Sequence, residues 1–115
     1  MLFWNAELSE TPGRFRRERD IMADESVHWR EDGGHGRFSL VVEGAEADMT
    51  YAMRGQIMVI DHTFTPPALR GHGLASRLMR AAADHARANG LKISPLCSYA
   101  DAWMRRHKEE HDLLA

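Results

Sequence analysis

The hydrophobic positions change texture once along the chain. Up to Thr65 they alternate with polar residues or run almost unbroken; from Leu74 they return every third or fourth residue. The first pattern is that of strands and the second that of a helix. Residues 37–43 hold Phe38, Leu40, Val41 and Val42 and read as a strand. A shorter one is expected at 27–30, with Asp32-Gly33-Gly34-His35-Gly36 as the turn between them. Glu43-Gly44 marks a hairpin tip, and 45–53 then places Ala45, Ala47, Met49, Tyr51 and Met53 on one face of a half-buried strand. After Arg54-Gly55, residues 56–65 carry Ile57, Met58, Val59, Ile60 and Phe64, a near-continuous run that suits a strand covered on both faces. Thr65-Pro66-Pro67 ends the sheet, because proline has no N–H for the ladder.

The spacing of Leu74, Ala75, Leu78, Met79, Ala82 and Ala86 predicts a helix over 74–89, stopped by Gly90. Residues 91–97 read as a short strand whose Pro95 suggests a bulge or an edge. Ser98-Tyr99-Ala100-Asp101 has capping-box spacing and opens a second helix to about His107. The tail is polar before Leu113-Leu114. The order is β-β-β-β-α-β-α. The strand, helix and strand at 56–65, 74–89 and 91–97 form a βαβ unit with parallel strands. The class is α+β, a mixed sheet in which an antiparallel meander joins a parallel βαβ unit, with two main helices.

Composition narrows the function. The chain has 115 residues, 43% apolar and 28% charged, enough for one domain. No apolar run approaches the roughly 20 residues of a membrane span. Fifteen Lys and Arg against seventeen Asp and Glu leave a net charge of −2, which argues against a nucleic-acid partner. The single cysteine, Cys97, cannot pair within the chain and fits a reducing compartment, so a cytoplasmic location is expected. Residues 1–21, with the run Arg14-Phe15-Arg16-Arg17-Glu18-Arg19-Asp20, differ from the rest and lack the features of an export signal. Met22 reads as an alternative start, so 1–21 is expected to be an extension that is poorly ordered or makes only peripheral contacts, and 22–115 a single domain.

Chemistry concentrates between the fourth strand and the first helix. A helix start leaves N–H groups without partners and carries partial positive charge. Glycines at 71 and 73 let a phosphate approach those groups, and Arg70 adds a full charge. The lysine of a P-loop is absent, which disfavours nucleoside triphosphate chemistry. The glycines alone would also suit a tight turn with no ligand.

The run Arg70-Gly71-His72-Gly73-Leu74-Ala75 resembles the Q/R-x-x-G-x-G/A motif of the GNAT acetyltransferase superfamily. With His62-Thr63, Pro66-Pro67-Ala68-Leu69 and the stretch from Leu91 to Tyr99, the chain is similar to the short single-domain YjdJ-type acetyltransferases over roughly two-thirds of its length. The resemblance implies acetyl-CoA, its pyrophosphate held by Arg70 and the amides of Gly71, His72, Gly73, Leu74 and Ala75. It also implies a pantetheine arm paired with the main chain of Thr63, Phe64 and Thr65. Larger members have two helices between the first strands and further strands after the last helix. This chain lacks room for both, so the acceptor side is expected to be open or completed by a second subunit in a homodimer.

Acetyl transfer to an amine requires removal of a proton from the amine, donors for the developing oxyanion and a proton for the departing thiolate. Cys97, placed before a helix N-terminus and across the cleft from His62, is a candidate nucleophile or proton donor; a small buried thiol is the plainer reading. His62 interrupts an apolar strand and is a candidate base, and Tyr99 a candidate donor to the thiolate. His72 is expected to line the phosphate site or face solvent. His107-Lys108-Glu109-Glu110-His111 matches H-x-x-E-H but lacks a third ligand and a cleft, so no metal is assigned. The expected activity is acetyl-CoA-dependent N-acetylation of a small-molecule or protein amine. A non-catalytic CoA-binding or partner-binding module on the same scaffold is the alternative.

Overall fold

A computed structural model describes residues 26–115. The expected extension at 1–21 and the alternative start at Met22 lie outside them. Four antiparallel strands follow one another: β1 (His28–Asp32), β2 (His35–Val42), β3 (Ala45–Arg54) and β4 (Ile57–Phe64). Helix α1 (Leu74–Asn89) then crosses over to β5 (Lys92–Pro95), which lies parallel to β4. Helix α2 (Ser98–Arg106) and a 3₁₀ segment (Lys108–Leu113) complete the domain. Both early hairpins turn on two residues of positive φ, Gly33-Gly34 and Glu43-Gly44. That is the primed-turn geometry whose twist matches the strands.

One face of the sheet carries the core. Phe38, Leu40, Ala47, Met49, Tyr51, Met58, Ile60 and Ile93 meet Leu74, Leu78, Met79, Ala82 and Ala86 of α1 and Ala100, Trp103 and Met104 of α2. The alternation expected at 45–53 is the buried face of β3. The two-sided burial expected for the fourth strand is not found among the described residues. Met58 and Ile60 are buried, whereas Ile57 and Val59 on the outer face are only half-buried. The apolar run satisfies one core and leaves an open outer face.

Two further details depart from the sequence reading. Cys97, not Ser98, is the N-cap of α2, and its sulfur accepts from the Ala100 N–H at 3.3 Å. The polar tail, for which no element was expected, forms the 3₁₀ segment and docks on α1. Glu110 is 8% exposed, and its carboxylate accepts from Arg80 at 2.8 Å and from Arg87 at 2.7 Å. Burial pushes the Glu110 carboxyl up, but the two guanidinium hydrogen bonds outweigh it and hold the group below its ordinary range. Beyond it, Leu114 forms a parallel bridge with Ile93, and the Ala115 N–H donates to the Ile93 carbonyl at 2.9 Å.

The β1 edge is tied down through Tyr51. Its hydroxyl donates to Glu31 at 2.6 Å and accepts from the Trp29 indole at 2.8 Å. Burial, then the bond to Glu31, pushes the phenol up to about 12. The Tyr51 ring lies over Gly36, where a Cβ would fall 2.0 Å from the ring carbon Cζ.

Candidate functional site

A cleft opens where β4 outruns β5. The two strands pair from Ile57 and Lys92 to Ile60 and Pro95 and no further. The Leu96 and Cys97 N–H groups both donate to the Ile60 carbonyl, at 2.9 and 3.1 Å, as the chain turns away into α2. The rest of β4 stays paired with β3 alone. A β-bulge intervenes at Asp61: Tyr51 pairs with Ile60, but Thr50 pairs with His62. Gln56 and Ile60 turn their carbonyls toward β5, and the bulge resets that alternation by one residue. Thr63, opposite Met49, therefore directs its main-chain N–H and C=O to the open edge and its side chain to the helix-covered face.

The cleft has a volume of about 360 Å³. Thr63, Phe64 and Thr65 form one wall; Arg70, Gly71, Gly73 and the first turn of α1 form the other; Tyr99 of α2 lines it as well. Gly73, at φ 76°, is the N-cap of α1, with no side-chain cap and no acidic residue in the first turn. The Gly73 carbonyl accepts from the Arg77 N–H at 3.1 Å, so the N–H groups of Leu74, Ala75 and Ser76 precede the helical ladder. Gly71 has φ 87°, and a Cβ on either glycine would meet nothing within 4 Å. The glycines satisfy a left-handed backbone, and the space above them is open. The Arg70 Nε donates to the Thr65 carbonyl at 3.1 Å, which holds the exposed guanidinium at the rim.

The sequence model of the GCN5-related N-acetyl-transferases matches residues 37–113, about two-thirds of the chain. The protein belongs to that family. Among solved structures, this GCN5-related chain is similar to a GCN5-like protein from Staphylococcus aureus determined in solution by NMR. The TM-score is 0.57 at 25% identity, over 80% of this chain and 91% of that one.

In the GCN5-related chain, Thr63, Phe64, Thr65, Arg70, Gly71, Gly73, Leu74 and Ala75 all line one cleft. His72 is exposed and is not part of the lining. Tyr99 lines the cleft. His62 does not face Cys97, because the bulge turns it, opposite Thr50, to the outer face of the sheet. Cys97 instead meets Thr63, sulfur to Oγ1 at 3.3 Å, and is half-buried and not among the residues that line the cleft. The H-x-x-E-H residues are engaged elsewhere. Glu110 holds two arginines, His107 Nδ1 lies 2.8 Å from the Trp103 carbonyl, and His111 Nε2 lies 2.8 Å from the Met104 carbonyl. No described helix is long and apolar enough to cross a membrane.

Sequence reasoning missed Ser76. It lines the cleft one residue beyond the motif, and its Oγ accepts from the Trp103 indole at 3.0 Å. The signal was present: Ser76 is the third residue of the helix, where an N–H still lacks a partner. The Thr63–Cys97 contact had no comparable signal, since the bulge that creates it is not written locally.

Proposed function

We propose that this protein acetylates an amine with acetyl-CoA. The observation that carries the reading is the bare N-terminus of α1, uncapped and free of acids, opening with Arg70 onto a cleft beside an unpaired strand edge. These groups suit a diphosphate. Three main-chain donors and a guanidinium converge, and the two glycines leave room for close approach. The Thr63 N–H and C=O suit an amide-bearing arm running along β4. Acetyl-CoA supplies an acyl group activated as a thioester.

The chain's own residues then have distinct tasks. Arg70 and the N–H groups of Leu74, Ala75 and Ser76 hold the diphosphate. The Thr63 N–H at the open edge meets negative charge growing on the thioester oxygen. Tyr99 gives its proton to the departing sulfur. His62, on the outer face, takes the proton from the incoming amine. A bond forms between the amine nitrogen and the carbonyl carbon as the bond from that carbon to sulfur breaks. Transfer is direct, a reading supported by the Cys97 sulfur capping α2 and meeting the Thr63 hydroxyl without itself lining the cleft. The open outer face is the side from which the acceptor enters.

Calorimetry with CoA and thiol release from acetyl-CoA over a panel of amines test this reading. Arg70→Glu is expected to weaken CoA binding by at least about tenfold, through loss of a charge-assisted contact and added repulsion. Unchanged affinity would remove the diphosphate argument, and binding without turnover on any amine would remove the transferase.

A further inference from the structure

We infer that Trp103 is a positioning residue for the diphosphate site, acting through the Ser76 hydroxyl. Ser76 lines the cleft from the first turn of α1, and the Trp103 Nε1–H donates to its Oγ at 3.0 Å. An indole N–H can only donate, so it takes one lone pair of Oγ and excludes the serine proton from that direction. A serine in a helix otherwise turns its proton back to the carbonyl three or four residues earlier. With the indole on one side of Oγ, a Ser76 proton turned to the cleft joins the N–H groups of Leu74, Ala75 and Ser76 as a further donor to an anion.

The indole is buried and held between two side chains. It is 1% exposed, its ring stacks on His107 at 3.8 Å and 13°, and the Arg80 guanidinium carbon lies 5.0 Å from its centroid. Arg80 is itself anchored on Glu110. The Nε1–H therefore reaches Ser76 already oriented, and little freedom is lost when ligand binds. Phenylalanine would keep an aromatic ring here but is smaller and brings no N–H. Only the indole offers the donor.

The inference rests on the proposed CoA reading, and a double-mutant cycle on CoA affinity separates the two. Trp103→Phe is expected to weaken CoA binding about threefold to tenfold, the range of one net hydrogen bond. In a Ser76→Ala background it should weaken binding no further, whereas in Ser76→Thr, which keeps the hydroxyl, the dependence on Trp103 should return. Thermal midpoints are measured in parallel. A purely structural role would lower the midpoint while leaving affinity unchanged, or would weaken binding equally with and without the Ser76 hydroxyl; either result overturns the inference alone. Failure of the wild-type protein to bind CoA overturns the proposed function and this inference with it.

Discussion

The substitution Gly73→Ala separates the fold from the site. Gly73 caps α1 at φ 76° and ψ 15°, and a Cβ built there meets nothing within 4 Å. No clash enters, so the penalty to folding is that of a left-handed alanine, roughly 1–2 kcal/mol. For a domain of this size each kcal/mol lowers the melting midpoint by roughly 4–8 °C. The penalty to binding has a different origin. The added methyl would occupy the open space through which an anion approaches the first-turn N–H groups. Holding a phosphate off one or two charge-assisted hydrogen bonds, each about 1.5–3 kcal/mol, weakens affinity by at least about tenfold. Thermal unfolding and CoA calorimetry on the same sample give both numbers. The reasoning is refuted if the midpoint falls as stated while CoA binds within twofold of the wild type.

Gly36→Ala reverses that balance, because its Cβ would fall 2.0 Å from the Tyr51 ring. Moving the ring also strains its bonds to Trp29 and Glu31, and a loss of about 2–4 kcal/mol is expected in urea unfolding. A loss below 1 kcal/mol would show that the ring shifts freely. Glu110 makes the domain acid-sensitive. Its folded-state carboxyl lies below the ordinary range, so its contribution is complete above the unfolded value near 4.3 and is lost as pH falls through the folded one. Urea midpoints of Glu110→Gln should therefore depend less on pH below about 4.5 than those of the wild type; parallel curves would contradict this. Cys97→Ser retains an atom able to accept from the Ala100 N–H and is expected to keep most activity, with no acetyl mass shift on Cys97 of the wild type during turnover. Abolished activity together with such an adduct would establish a covalent route.

What the sequence displayed were the features fixed by local rules. The buried face of β3 was visible because Ala45, Ala47, Met49 and Tyr51 hold a strict period of two, and the end of α1 because Gly90 takes a left-handed cap. The grouping of Arg70, Gly71, Gly73, Leu74 and Ala75 was visible because a short motif bridges strand and helix, but nothing in that motif told that His72 would turn away from the cleft. The face of His62 was not. Continuing the alternation of Met58 and Ile60 puts His62 and Phe64 inward, and the extra residue Asp61 puts Thr63 there instead. The docking of Glu110 was hidden for another reason: its partners Arg80 and Arg87 lie 30 and 23 residues away, and no local pattern joins them. Ile57 and Val59 misled because an apolar run looks alike whether one or two of its faces are covered.

The two flanks of the sheet are guarded by different means. Among the described residues β1 is the outermost strand on one side, and it is exposed throughout and studded with charge at Arg30, Glu31 and Asp32. A second strand laid against it would have to bring its own main chain up to those ions, which discourages stacking of copies. On the far side Leu114 and Ala115 occupy the rim of β5 at Ile93, so that margin is already spoken for by the chain itself. Loosening the clamp on Glu110 would therefore do more than soften the tail: it would bare the hydrogen-bonding margin at Ile93 and leave Lys92 as the one charge guarding that edge among the residues of β5.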